Sequence, residues 1–172
     1  MPHANIALMG FMGAGKSTVG RALATRLGKT FVETDALVEL EAGMSVAEVF
    51  ATHGEAHFRD LESSVIRQAA GLPDCVIACG GGAVLREENV TALRGSAVLV
   101  YLEVSPQSVL QRVDPRSGVR PLLSGPDRAQ KAEELLARRR PVYESVADIT
   151  VSTDGLGIDE VVRLIEERLA RL

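Results

Sequence analysis

Tryptophan is absent from this chain, and tyrosine (two) and phenylalanine (four) are scarce. A core without large aromatic rings has to be aliphatic, and a hydrophobic content of 46% in 172 residues is enough to build one in a single domain spanning 1–172. Lysine is nearly missing: Lys16, Lys29 and Lys131 are the only three, and arginine carries the remaining positive charge. No apolar run approaches the roughly 18 residues of a membrane span, so no membrane partner is expected. The polar start Met1-Pro2-His3-Ala4-Asn5 lacks the character of a secretory leader, which predicts a cytoplasmic protein. A net charge of −4 and a pI near 5.4 argue against nucleic acid held by bulk electrostatics. Repeats, low-complexity tracts and linkers are also lacking.

Cysteine is limited to Cys75 and Cys79. Four residues apart on a strand they share a face but stand about 13 Å apart, too far for a disulfide. No histidine lies near them in sequence, so both read as buried packing residues rather than zinc ligands.

What is present alternates. Ile6–Met9, Thr30–Glu33, Cys75–Cys79, Ala97–Leu102 and Ile149–Val151 read as short apolar strands. Val19, Leu23 and Leu27 recur at helical spacing after the first strand. Val46, Val49 and Phe50 suggest a short helix, and Glu55–Ala70 a longer one with Phe58, Leu61, Val65, Ile66 and Ala69 as its stripe. A last helix shows Ile158, Val161, Val162, Ile165, Leu169 and Leu172 on one side. A helix beginning near Ala36 would have Asp35 as its cap, and Arg138-Arg139-Arg140 has the composition of a solvated helix end. Apolar strands alternating with helices imply an α/β fold, a parallel sheet covered on both faces. Ligands in such folds bind beyond the carboxyl ends of the strands.

At the end of the first strand stands Gly10-Phe11-Met12-Gly13-Ala14-Gly15-Lys16-Ser17-Thr18. Gly, four residues, then Gly-Lys-Ser between a strand and a helix is a phosphate-binding loop. Glycines let the backbone curl so that successive N–H groups face an anion, and the following helix adds its positive end. Gly13, Ala14, Gly15, Lys16, Ser17 and Thr18 are therefore candidate ATP-binding residues. Lys16 would reach the β- and γ-phosphates, and the Ser17 hydroxyl would bind one Mg2+ ion that accompanies ATP. The guanine-reading Asn/Thr-Lys-x-Asp motif is absent, which argues against a GTP switch. Glu33, Asp35 and Gly80-Gly81-Gly82 follow the second and third strands and should converge on the same rim. The stretch 114–125, with Pro115, Gly118, Pro121 and Gly125, has neither period and predicts a mobile lid.

These motifs resemble shikimate kinase. Gly-Phe-Met-Gly-Ala-Gly-Lys-Ser-Thr, Glu33-Thr34-Asp35, Phe58-Arg59-x-x-Glu62, Gly80-Gly81-Gly82, Arg120-Pro121-Leu122-Leu123 and Arg139-x-Pro141-x-Tyr143 run in the family's order over essentially the whole chain. The resemblance implies a three-layer P-loop kinase fold with a five-stranded parallel sheet in the order 2-3-1-4-5. It implies transfer of the γ-phosphoryl of ATP to the 3-hydroxyl of shikimate, a step of aromatic amino-acid biosynthesis; a monomer is expected. It makes Arg59 and Arg139 the carboxylate clamp, with Glu62 steadying Arg59, and makes Asp35, Gly80, Gly81 and Gly82 the remaining acceptor contacts. Lys16, Asp35 and Arg120 become the catalytic set, Arg112 the adenine-facing residue, and Glu33 a holder of Mg2+ through water. The chain departs from the family in Glu33, where Asp is usual, and in Cys79, where Ser or Thr often stands. The short Thr153-Asp154-Gly155-Leu156 loop lacks the usual basic residue. A gluconate-type kinase of the same fold and a catalytically silent nucleotide-binding regulator are the rival readings.

Overall fold

In a computed structural model, which describes residues 5–113, 123 and 125–172, five strands pair in parallel. They are β1 (Asn5–Met9), β2 (Thr30–Glu33), β3 (Cys75–Ala78), β4 (Ala97–Glu103) and β5 (Ile149–Ser152), in the order β2-β3-β1-β4-β5. The expected order is the observed one. β1 sits in the middle, with Ile6, Ala7 and Leu8 registered against Val76, Ile77 and Ala78 on one side and Val98, Leu99 and Val100 on the other. All five β1 residues are buried, which explains why the strand alternates no polar positions.

Helices cover the sheet. α1 (Lys16–Leu27) follows the glycine loop and buries Val19, Leu23 and Ala24, whereas Leu27 at its end is 37% exposed and does not extend the stripe. α2 (Thr34–Ala42) starts directly from β2, so Asp35 is in its first turn rather than at its cap, which is Glu33. α3 (Val46–Ala70) opens with a capping box between Ser45 and Glu48 and breaks at Gly54 (φ 81, ψ 173). The two helices expected from the pattern are the two halves of this element. Both halves and α2 form a small separate core with Val38, Val49, Phe58 and Val65.

Two helices carry no prediction above, α4 (Glu87–Arg94) and α5 (Pro106–Arg112), and of α6 (Arg128–Val146) only a solvated end at Arg138–Arg140 is expected. In α6 Arg139 is buried, seven residues before the helix ends at Val146, so Arg138–Arg140 is not a solvated terminus. α7 (Ile158–Leu169) buries Val161, Val162 and Ile165, but Ile158 and Leu172 are exposed. Cys75 and Cys79 are buried and free, as their spacing requires. The predicted lid falls outside the described residues at 114–122 and 124, and Arg120 with it; Leu123 is buried in the main core. No helix among the described residues is long and apolar enough to cross a membrane.

Candidate active site

The parallel sheet delivers the ends of β1, β2 and β3 to one rim, where a cavity of ≈ 360 Å³ opens. Gly13, Gly15, Lys16, Ser17 and Thr18 line it from the first loop, Glu33 and Asp35 from the β2–α2 junction, Cys79, Gly80 and Gly81 from the end of β3, and Arg112 from α5. Five of the six residues expected to cradle phosphate border this space; Ala14 lines the adjoining one. The loop needs glycine where it turns: Gly13 and Gly15 have φ of 79° and 94°, in the left-handed region. Lys16 is buried, and its Nζ donates to Gly10 O (2.8 Å) and Phe11 O (2.9 Å), which fixes the ammonium at the cavity edge.

Ser17 Oγ donates to Glu33 Oε1, and Arg21 Nη2 stands 3.4 Å from Glu33 Oε2. A hydroxyl and a carboxylate meeting beside the anion loop are hard oxygen donors, the set that Mg2+ prefers. Among the described residues no group of three or more His, Cys, Asp or Glu could hold a metal. Mg2+ fits that frugal set, because it keeps waters and takes phosphate oxygens as ligands.

On the other side of the Gly80-Gly81-Gly82 turn stand the two arginines. Arg59 Nη1 bonds Glu62 Oε2 at 2.7 Å, and Arg59 Nη2 lies 3.4 Å from Glu55 Oε1. Glu62 is fully buried, and burial pushes its carboxyl above the ordinary range despite the Arg59 guanidinium beside it. Arg139 is 4% exposed, lies over the Phe11 ring at 5.7 Å, and has no hydrogen-bond partner for Nε among the described residues. A buried guanidinium with an unused donor has capacity left for an anion.

The triple glycine is the junction between the two groups, for a steric reason. A Cβ at Gly82 would fall 2.5 Å from Arg59 Nη1, at Gly81 3.2 Å from Arg139 Nη1, and at Gly80 2.5 Å from Glu62 Oε1 and 3.0 Å from Asp35 Oδ1. One turn therefore touches every predicted acceptor residue. Thr34 Oγ1 accepts from Gly80 N at 3.0 Å, and Tyr143 Oη donates to Gly81 O, pinning the turn from both sides. Neither residue was singled out above. Tyr143 lies in the quoted Arg-x-Pro-x-Tyr motif, four residues after Arg139 and so on the same helical face, which is the signal that could have found it. Cys79 is buried at the cavity wall just before the turn, where burial raises its thiol pKa to about 12.

Arg112 borders this cavity and a second one of ≈ 390 Å³, with Gly15 and Thr18 shared between them. Its guanidinium donates to Gly13 O (3.2 Å), Thr153 Oγ1 (3.0 Å) and Thr153 O (3.0 Å), tying the glycine loop to the β5–α7 loop. Thr153 was missed because its partner lies 41 residues away, beyond any local pattern.

A family model described as "Shikimate kinase" matches residues 12–170. The chain belongs to the shikimate kinase family. It is 46% identical over 166 residues to the shikimate kinase of Symbiobacterium thermophilum, covering 96% of this chain and 95% of that one. Its fold matches shikimate kinase from Acinetobacter baumannii in complex with shikimate at a TM-score of 0.94, with 35% identity over 98% of this chain and 93% of that one. A gluconokinase from Sinorhizobium meliloti matches at 0.67 and 25% identity, covering 99% and 93%. The chain is thus a transferase, an ATP-dependent kinase of the shikimate pathway.

Proposed function

We propose that the two groups joined by the triple glycine carry out the family's reaction, with ATP in the glycine loop and the 3-hydroxyl of shikimate as acceptor. The observation that supports this is the Gly80–Gly82 turn itself, which borders the phosphate cavity on one side and abuts Arg59, Arg139 and the Glu62 carboxylate on the other.

Shikimate has one carboxylate and three hydroxyls. Arg139, and Arg59 held by Glu62, present planar forks to the carboxylate, a stronger and more directional grip than lysine would give. Asp35, at the first turn of α2 and on the cavity wall, accepts from the ring hydroxyl that will attack, and so aims its oxygen at the γ-phosphorus. Gly80, Gly81 and Gly82 let the ring lie against the main chain. Lys16 and the loop N–H groups of Gly13–Thr18 hold the β- and γ-oxygens. The transition state of phosphoryl transfer is loose, so positioning and charge stabilisation matter more than a strong base. Ser17, and Glu33 through water, would hold Mg2+, which neutralises phosphate charge when bound. Arg112 lays its guanidinium on the adenine face, and Arg120, from the 114–125 stretch, is assigned to the phosphates as a lid residue.

The enzyme is further proposed to be a cytoplasmic monomer without a nucleic-acid partner, in keeping with its net charge of −4. Light scattering after size-exclusion chromatography checks the monomer. The substrate reading is tested by a coupled assay with ATP and magnesium. Shikimate should turn over and gluconate should not; the reverse would assign the arginine pair to an open-chain sugar acid.

A further inference from the structure

The bond from Ala83 N to Gly80 O, at 3.1 Å, closes Gly80–Ala83 into a β-turn whose two central residues are Gly81 and Gly82. Gly82, at φ −99° and ψ 4°, has the conformation of the third residue of a type I turn, about −90° and 0°. Type II differs by a flip of the central peptide and needs a φ of roughly +80° at that residue, which glycine reaches without steric cost. Two central glycines therefore leave both forms open. The forms present opposite groups, because a trans peptide is one plane whose C=O and N–H point opposite ways.

A side chain from α6 selects between them. Tyr143 Oη donates to Gly81 O, the carbonyl of that central peptide. Its ring is buried and stacks on Tyr101 of β4 with centroids 5.0 Å apart, so the hydroxyl arrives from a fixed direction. Burial pushes the phenol up to about 12, against the pull of the Arg139 guanidinium, so it remains a donor at neutral pH. Gly81 itself is wedged where the two halves of the site meet. A Cβ there would lie 3.2 Å from Arg139 Nη1, 3.6 Å from Gly10 O and 3.7 Å from Met12 N.

We infer that Tyr143 is a positioning residue for the acceptor, its hydroxyl holding the Gly80–Ala83 turn in type I. The inference rests on the acceptor placement proposed above. With the Gly81 carbonyl held by Tyr143, the opposite side of the turn carries the Gly82 N–H, a donor suited to a carboxylate or hydroxyl oxygen. A flipped turn would set a carbonyl there and repel the same oxygen. The hydroxyl acts through the main chain rather than on the reacting atoms.

The test is Tyr143→Phe, which keeps the stacked ring and removes the bond to Gly81 O. Tyr101→Phe is the matched control, since it removes the other hydroxyl of the same stack. In Tyr143→Phe the KM for shikimate should rise about threefold or more, the effect of one lost hydrogen bond, while KM for ATP stays within about twofold. Tyr101→Phe should leave both within about twofold. A smaller shikimate effect, an equal rise for ATP, or the same rise in Tyr101→Phe overturns the inference. A parent enzyme that does not turn over shikimate with ATP would instead overturn the proposed reaction, and the inference with it. Should Tyr143→Phe not fold, the parent decides. Tyr101 and Tyr143 are its only tyrosines, so ring-labelled protein gives two Cζ signals by NMR, and Tyr101→Phe tells them apart. Saturating shikimate should shift the Tyr143 signal; a signal that does not move overturns the inference.

Discussion

Arg59 and Glu62 show why single atoms decide this site. At an exposed helix face such an i, i+3 pair contributes a few tenths of a kcal/mol. Here the carboxylate is fully buried and the guanidinium is wedged between it and Gly82. Gly82→Ala tests the wedge. Its φ of −99° suits any residue, so the backbone tolerates alanine, and only the new methyl, 2.5 Å from Arg59 Nη1, has to be accommodated. The variant should fold normally and raise KM for shikimate by about tenfold or more, the loss expected when a charge-assisted bond worth 1.5–3 kcal/mol is displaced, with KM for ATP little changed. Equal rises for both substrates would show a general collapse of the rim.

Glu62 adds a pH signature. Burial raises its carboxyl pKa above the ordinary 4.5, so the folded protein binds that proton more tightly than the unfolded chain does. The stability this contributes is complete below 4.5 and is lost as pH rises through the raised value. Glu62→Gln removes the titration, so the melting temperature of the variant relative to the parent should climb across that window. A constant difference from pH 4 to 8 would mean that the carboxyl titrates normally. At this scale the site was legible wherever motif residues are close in sequence, as in Lys16-Ser17 or Arg59/Glu62. It was illegible where contacts span the chain, as between Phe11 and Arg139 or Gly81 and Tyr143, because no local period announces them.

Among the elements, α3 and α6 mark the limits of pattern reading. In α6 the inward positions are Ala132, Leu136, Arg139 and Tyr143, a proper helical spacing. Two of the four are polar, and Pro141 sits inside, so the stripe does not look apolar and the helix looks broken. The buried arginine is what disguises the element that holds it. α3 is the opposite case, because its pattern correctly divides at Gly54. A φ of 81° with ψ of 173° is open almost only to glycine. A Cβ there meets nothing within 4 Å, so any cost of Gly54→Ala is backbone strain alone. Chemical denaturation should show a loss of about 1–3 kcal/mol. Because the joint sets the angle between the Val46 half and the half bearing Arg59, KM for shikimate should rise as well. An unchanged unfolding midpoint would mean that the joint relaxes freely into helix.

For the whole molecule, sequence periodicity yields the strands but not their order, since a buried parallel strand carries no mark of its neighbour; the order came from the family resemblance. That order is what puts function on one rim: β1 in the centre, β3 beside it and β2 beyond, so the anion loop, the glycine turn and the Glu33/Asp35 corner adjoin. Two binding functions sharing a rim should nonetheless be separable, because their residues come from different strand ends. Lys16→Met keeps most of the length of a nine-tenths-buried side chain and removes its charge, and with it the bonds to Gly10 O and Phe11 O. Turnover should fall by roughly 10²–10³-fold, the loss typical of one preorganised charge-stabilising donor. Shikimate affinity should stay within about threefold, as the proposed carboxylate clamp, Arg59 and Arg139, comes from α3 and α6 rather than from the loop that carries Lys16. With no tryptophan to report binding by fluorescence, calorimetry is the suitable readout. Activity within tenfold of the parent would remove Lys16 from the phosphates. A parallel collapse of shikimate binding would show that the rim is one cooperative unit rather than two sites held at a fixed distance by the sheet.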